Sequence, residues 1–265
     1  MGDTKMPKWL YRFQTLNVNN LLALQQNKLW FSSVDKFNDP FEFFVDPIEL
    51  IDGILESCTL KKLEDFASSF GQQKPSDKHL LKKEFEDGNT DSLKNRIVVM
   101  YQSNTRRKLM DLGVCCFFQN ISDGLSWAHY ADSHQGYAFA IEVEEIDYQL
   151  AILEVKYASA PSPRGEEIPG ALETIVATKS EDWKHEEEWR ICSPTESNVL
   201  RSQAYDKPWP IKKVYFGGRM NGNQKKLIQD ATKNALEYYD AIFEPENYII
   251  RFELSNFETV NVHHG

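Results

Sequence analysis

The sequence predicts an α+β protein whose mainly antiparallel, split β-sheet core is interrupted by a helical insertion. Strand-like runs lie at both ends of the chain, and a charged, helix-like segment over about 47–111 separates the first ones from the rest. The order is strands, helices, strands rather than regular strand–helix alternation, which favours α+β over a parallel sheet. The 265 residues, 41% of them hydrophobic and 26% charged, suit one globular domain spanning 1–265.

The first strand is predicted over 8–13. Trp9, Tyr11 and Phe13 alternate there with Leu10 and Arg12. Alternation with a period of two is typical of a strand with one face towards the core.

A short helix and a second strand follow. Asn19 or Asn20 can cap a helix that runs through Gln26. The run 29–33 is a strand, and the segment 38–40 (Asn-Asp-Pro) favours a chain reversal behind it.

The insertion is predicted to hold two or three helices. It is charged throughout, and its breaks fall at 71–75 and at Gly88-Asn89.

The remainder is dominated by short apolar runs with three helical segments between them, and a loop is expected over 161–169. The predicted strands are 113–119, 137–143, 152–157, 186–192, 211–217, 248–254 and 257–262. The predicted helices are 126–134, 168–183 and 221–239.

Charge and composition limit the partners. A net charge of −10 argues against a broad nucleic-acid-binding surface, and the basic run 106–108 is read as a solvated helix face. The four cysteines have no C-x-x-C spacing and are expected to be reduced and mostly buried, with Cys115 and Cys116 on opposite strand faces. We see no secretion signal and no run near the roughly 18 apolar residues of a membrane span, so a cytoplasmic protein is expected.

The densest polar cluster is Trp-x-x-Glu-x-Glu-Trp-Arg over 183–190. On a strand, Glu186, Glu188 and Arg190 would share one face, with Trp189 and Ile191 on the other. When two carboxylates lie close together, their repulsion raises the pKa of one of them, whereas a nearby guanidinium lowers that pKa. The patch suits proton transfer, a ribose hydroxyl or a metal, or is only a solvated strand face with a cross-strand ion pair.

A second candidate is the segment 126–134. Trp127 and Tyr130 would lie on one helix side, with His134 stacked four residues beyond Tyr130. His129 is either a general base or a structural histidine. A metal site is not predicted, because His129 and His134 are five residues apart and no H-E-x-x-H is present.

Three weaker signals remain. The polar segment 38–42 is predicted to be a turn, because Asn and Asp side chains that bond nearby backbone amides explain it without a function. Gly217-Gly218-Arg219 lies between a strand and a helix, where phosphate can bind backbone amides. Glu154-x-Lys156 matches a short pattern of some metal-dependent nucleases, and such patterns often arise by chance.

In combination and order, these motifs resemble a bacterial family of domains of unknown function, over about residues 9–220. The matching positions are Leu10-Tyr11-Arg12-Phe13, Phe31-Ser32-Ser33, Asn38-Asp39-Pro40-Phe41, Cys116-Phe117, Trp127-Ala128-His129-Tyr130-Ala131, His134-Gln135-Gly136, Lys179, Trp183, Glu186, Glu188, Trp189 and Arg190.

The layout is more distantly similar to the ADP-ribosyltransferase superfamily. That resemblance implies that Arg12 on the first strand holds the NAD phosphate or ribose and that Ser32 braces the nicotinamide side. It implies that Glu188 bonds the ribose 2′-hydroxyl and stabilises positive charge as nicotinamide leaves. Trp127 or Tyr130 would stack on nicotinamide.

The candidate site is completed by Glu186 and His129 as further catalytic groups and by Arg190 as a further NAD-binding group. The Ser-Thr-Ser pattern of the superfamily is absent from the chain.

Three functions follow as hypotheses. The first is an NAD-dependent ADP-ribosyltransferase or NAD glycohydrolase, as a toxin or phage-defence effector with a protein or nucleic-acid acceptor. The second is a nuclease that uses Glu154 and Lys156 with metal, or His129 and His134 without it. The third is a non-catalytic ligand sensor or interaction module whose polar motifs brace the fold.

Overall fold

The protein is α+β, with a mostly antiparallel mixed sheet and several helices. The structure is a computed structural model, and it describes residues 6–44, 47–56, 59–69, 75–146, 150–160, 171–194, 202–204 and 209–255. Within these ranges no helix has the length and apolar character needed to cross a membrane.

Ten strands form the main sheet, and two short strands form a separate parallel pair. The strands are β1 (Trp9–Gln14), β2 (Trp30–Ser33), β3 (Leu112–Phe118), β4 (Tyr137–Glu142), β5 (Ala151–Glu154), β6 (Lys156–Ala158), β7 (Thr178–Ser180), β8 (Glu188–Pro194), β9 (Ser202–Ala204), β10 (Ile211–Phe216), β11 (Glu237–Glu244) and β12 (Ile249–Leu254). The helices are α1 (Val18–Gln25), α2 (Ile48–Glu56), α3 (Leu60–Ser69), α4 (Pro75–Glu86), α5 (Thr90–Met110), α6 (Gly124–Tyr130), α7 (Ala171–Val176) and α8 (Gly222–Ala231).

Strand β3 is where the sheet divides. Its whole length pairs with β8, from Leu112↔Pro194 to Phe118↔Glu188. The opposite edge of β3 is shared, since β1 joins it at Phe118 and β2 joins it at Gly113 and Val114. The sheet therefore separates between β1 and β2, with β4, β10, β11 and β12 continuing from β1.

Each face of the sheet has its own apolar core. On one face, α1 and α8 contact each other and cover a core that includes Leu10, Phe117 and Ile191. On the other face, α6 packs against β1 in a core that includes Phe13 and Trp127. The alternation of β1 between these cores confirms its predicted period of two.

The insertion contains four helices among its described residues, α2–α5, rather than two or three. Its own core holds Ile51, Leu63 and Leu81. Helix α5 also reaches the body of the protein, where Tyr101 and Leu109 pack in a core with Val114 and Cys192.

Two predicted helices are wrong in part. The segment 168–183 holds the short helix α7, the strand β7 and the start of a 3-10 helix over Glu181–Glu186. The segment 221–239 is helical only to Ala231, because Lys233 and Asn234 adopt left-handed backbone angles and the chain then enters β11.

The boundaries of other predicted elements also differ from those in the structure. The helix predicted over 126–134 ends at Tyr130, and the strand predicted over 186–192 begins at Glu188. The strand predicted over 152–157 is divided between β5 and β6. The predicted loop 161–169 and the predicted strand 257–262 lie outside the described residues, as does Cys58.

Candidate functional site

A cavity of about 380 Å³ lies where the sheet divides, and we call it the Arg12–Glu188 cavity. Residues from β1, β2, β3, α6, β7 and β8 meet there, although they are far apart in the chain. The lining residues are Arg12, Phe13, Ser32, Lys36, Phe37, Asn38, Val114, Cys116, Phe118, His129, Tyr130, Lys179 and Glu188. Five predicted site residues are thus brought together: Arg12, Ser32, His129, Tyr130 and Glu188.

Arg12, on β1, forms hydrogen bonds to the neighbouring strand β3. Its Nη1 donates to the Cys116 carbonyl oxygen at 2.9 Å and lies 2.8 Å from the Cys115 Sγ. Its Nε is buried and has no hydrogen-bond partner among the described residues. A buried donor without an acceptor costs about 1–3 kcal/mol, so this nitrogen is an unsatisfied donor of a residue that lines the cavity.

Helix α6 carries the aromatic wall. Asp123 caps the N-terminus of this helix. Its side chain accepts hydrogen bonds from the Ser126 backbone amide at 2.8 Å and from the Ser126 hydroxyl. His129 and Tyr130 lie in the last turn of this helix and line the cavity. The Tyr130 ring packs against Phe118, with 5.2 Å between ring centroids.

Glu188 begins β8 after a left-handed residue, Glu187 (φ 45°), which turns the chain out of the preceding 3-10 helix. Its backbone amide donates to the Tyr157 hydroxyl at 2.8 Å, and its carbonyl accepts from the Val155 amide. These bonds fix the position of the carboxylate, whose side chain is 1% exposed.

Behind the cavity wall lies a buried ion cluster of three carboxylates and two cations: Glu42, Glu186, Glu188, Lys179 and Arg190. Lys179 Nζ bonds Glu186 Oε2 at 2.5 Å and Glu188 Oε2 at 2.9 Å. Arg190 Nε bonds Glu188 Oε1 at 2.8 Å, and its Nη2 bonds Glu42 Oε1 at 2.6 Å.

The cluster separates the pKa values of its carboxyl groups. Burial alone would raise the pKa of Glu188, but Arg190 and Lys179 outweigh it and hold this pKa at about 2. Burial raises the pKa of Glu186 despite Lys179, and it raises the pKa of Glu42 despite Arg190 and Lys179. Glu188 is therefore the carboxylate that stays ionised beside the cavity.

Two tyrosines support the cluster. Tyr130 donates to Glu186 Oε1 at 2.7 Å, and burial together with the Glu186 charge raises the pKa of its hydroxyl. Burial likewise raises the pKa of Tyr157. Both hydroxyl groups therefore stay protonated at neutral pH.

Three predicted site residues lie outside the lining of this cavity. Trp127 is 0% exposed, donates to the Ile121 carbonyl and packs against Phe13, so the prediction that it stacks on a ligand is wrong for this structure. Glu186 and Arg190 are also 0% exposed, and their bonds to the described part of the chain are those within the cluster, to the Tyr130 hydroxyl and to the Val176 carbonyl. They position Glu188 and Lys179 rather than contact a ligand, and the alternative of a solvated strand face is wrong.

The weaker sequence signals have different outcomes in the structure. His134 stacks on Trp127, not on Tyr130 as predicted, and it meets Phe243 at the other side of its ring. The amides of Gly217 and Arg219 already donate to the Gly136 and His134 carbonyls, which leaves them unavailable to phosphate. No group of three or more His, Cys, Asp or Glu residues in the described part of the chain is arranged to hold a metal.

Sequence reasoning missed Lys179, Glu42 and Tyr157 as candidate site residues. Lys179 belongs to the motif that ends in Arg190 and lies four residues before Trp183, and this spacing was a usable signal. Glu42 was hidden because its turn is explained by local bonding, including the Asp39 carboxylate that accepts from the Phe41 amide. Its pairing with Arg190 spans 148 positions in the chain.

No protein-family model matches the chain, and neither a curated protein nor a solved structure matches it either.

Proposed function

We propose that the protein is an NAD-consuming enzyme of the ADP-ribosyltransferase or NAD glycohydrolase type, acting at the Arg12–Glu188 cavity. The observation that carries the proposal is the convergence of Arg12, Ser32, Tyr130 and Glu188 on one cavity at the division of the sheet. A cavity of about 380 Å³ with aromatic walls and a few polar groups is within the range of small-molecule sites.

Arg12 supports binding of the anionic or ribose part of NAD. Its guanidinium is held by β3, so it is preorganised, and its Nε lacks an acceptor among the described residues. A phosphate or ribose oxygen would satisfy that donor. Tyr130, Phe118 and Phe37 provide aromatic surface for the nicotinamide ring.

Glu188 supports the chemical step. When the bond between ribose C1′ and nicotinamide N1 breaks, its electron pair leaves with neutral nicotinamide and positive charge develops at C1′. A carboxylate already fixed and ionised, with its pKa at about 2, stabilises that charge without reorganisation.

The reaction is completed by a nucleophile whose oxygen forms the new bond to C1′. Water gives hydrolysis, and a protein or nucleic-acid acceptor gives ADP-ribosylation. His129 at the exposed rim of the cavity would take the proton that the nucleophile loses.

Nicotinamide release from NAD by the purified protein tests the proposal, with and without cell extract and nucleic acid as acceptors. We expect release by the wild type and a fall of at least about 100-fold in Glu188→Gln, because one transition-state charge partner is lost. Glu187→Gln is the matched control, since that exposed neighbour faces away from the cluster and should leave the rate unchanged. An absence of nicotinamide under every condition contradicts the proposal. Toxicity on expression that survives in Glu188→Gln would contradict the effector role.

The non-catalytic ligand sensor is the second candidate, and one observation favours it. Both oxygens of Glu188 already accept hydrogen bonds within the ion cluster. A sensor binds its ligand without releasing nicotinamide, and the substitution His129→Ala would then leave ligand affinity unchanged.

A further inference from the structure

A second cavity lies on the other side of the ion cluster, and we call it the Glu42 cavity. Its volume is about 250 Å³, and it is bounded by residues 41–44, by 158–160, by Ile175 and by residues of 178–182. Lys179 lines both this cavity and the Arg12–Glu188 cavity, so the two are separate spaces on either side of one side chain.

Glu42 is the unusual group in this second cavity. Its side chain is 1% exposed, and its Oε1 lies 2.6 Å from Arg190 Nη2 and 3.4 Å from Lys179 Nζ. Its Oε2 is buried and has no hydrogen-bond partner among the described residues. Buried carboxylate oxygens are rarely left without a donor, so this oxygen indicates a partner that comes from outside the fold.

The surroundings favour a cationic partner. The cluster contains three carboxylates against two cations, so one further positive charge would balance it. Glu42 and Phe43 already hold one guanidinium together, because Arg190 bonds the carboxylate and its Cζ lies 5.2 Å from the Phe43 ring centroid. Phe41 and Phe44 add two more aromatic rings to the wall of the cavity, and Asp182 adds a carboxylate.

Glu42 also borders a third cavity, of about 370 Å³, formed with α5. Arg106 and Asp35 both line that space, so its cation and its second carboxylate offset each other. In the Glu42 cavity the only cation among the described lining residues is Lys179, which is bound to Glu186 and Glu188. A cationic ligand is therefore favoured in the Glu42 cavity.

We propose that the Glu42 cavity binds a small organic cation, an alkylguanidinium or alkylammonium group, between the Glu42 carboxylate and the phenylalanines of 41–44. The proposal does not depend on NAD cleavage, because no step of it uses the Arg12–Glu188 cavity.

Calorimetric titration of the full chain with butylguanidinium tests the site, with butylurea as the neutral probe of the same shape. We expect one equivalent of butylguanidinium to bind and butylurea to bind at least tenfold more weakly. Glu42→Gln should weaken butylguanidinium at least tenfold, whereas Glu181→Gln, at an exposed neighbouring position, should not change it. Equal affinity for the two probes would overturn the proposal.

A second variant covers the case in which Glu42→Gln fails to fold. Ser159→Trp narrows the cavity from its exposed rim and leaves every residue of the ion cluster in place, so it should abolish binding and keep the wild-type melting temperature. Unchanged binding in Ser159→Trp would overturn the proposal. A blocked arginine dipeptide distinguishes the source of the cation: binding equal to that of butylguanidinium indicates a polypeptide side chain, weaker binding indicates a free small molecule, and no binding of either probe overturns the site.

Discussion

At the scale of single residues, the carboxyl groups of Glu186 and Glu188 differ in pKa because their surroundings differ. Glu188 bonds Arg190 and Lys179, and these cations keep it ionised with a pKa of about 2. Glu186 bonds Lys179 and Tyr130, and burial raises its pKa. The pair Glu-x-Glu was visible in the sequence, but the roles are set by the partners that each carboxyl group meets.

The raised pKa of Glu186 predicts a pH dependence of stability. A carboxyl group whose pKa is higher in the folded state stabilises the fold below its usual value of 4.5 and loses that contribution as pH rises through the folded-state pKa. Glu186→Gln cannot titrate. We therefore expect the difference in free energy of unfolding, wild type minus Glu186→Gln, to fall as pH rises from 4.5 towards 8. Denaturant titrations at several pH values measure it, and a difference that grows with pH would contradict the assignment.

Residue by residue, the sequence predicted the cavity better than the cluster behind it. Arg12, Ser32, His129, Tyr130 and Glu188 were singled out from local patterns and from a resemblance, and they share one cavity. Glu42 and Tyr157 were not, because their contacts with Arg190 and Glu188 join distant segments and leave no local pattern in a single sequence. Lys179 was also missed, although its spacing before Trp183 was a usable signal.

At the scale of elements, the turn between β10 and α8 depends on a close backbone approach. A Cβ on Gly217 would lie 2.2 Å from the His134 carbonyl oxygen, and Gly217 also donates to the Gly136 carbonyl. This contact ties the end of β10 to the turn that follows α6, and so supports the helix that carries His129 and Tyr130.

Gly217→Ala should therefore destabilise the protein by about 2–4 kcal/mol, because the clash is with backbone rather than with a flexible side chain. Gly222→Ala is the matched control. A Cβ there meets nothing within 4 Å, and the residue begins α8, so its effect should stay within about 0.5 kcal/mol. Thermal or denaturant unfolding of both variants compares them, and equal effects would refute this account of the turn.

The two strands that the sequence misassigned both follow a helix. Strand β7 has three residues and directly follows α7, so a helical pattern was extended across it. Strand β11 follows α8 after a turn whose left-handed residues are Lys233 and Asn234 rather than glycines, and the polar run resembles a continued helix. In contrast, β1 and β3 were predicted nearly to the residue, because alternation or a continuous apolar run marked them clearly.

At the scale of the whole molecule, the division of the sheet at β3 creates the site. Because β1 and β2 occupy opposite ends of one edge of β3, Arg12 and Ser32 face the same space as Glu188 on the far side of β3. The insertion contributes α5 to the neighbouring core but no lining residue among those described for the Arg12–Glu188 cavity. A split sheet was predicted, but the order of its strands and the strand at which it divides were not deducible from local patterns.

We propose that this divided sheet holds an NAD site in which Arg12 contacts the dinucleotide. The most direct measurement is calorimetric binding of carbocyclic NAD, which lacks the ribose ring oxygen and resists cleavage. We expect one equivalent to bind the wild type, at least tenfold weaker binding to Arg12→Gln, and unchanged binding to Lys8→Gln, which removes an exposed charge just before the same strand. No binding to the wild type, or equal binding to all three proteins at unchanged melting temperatures, would contradict it.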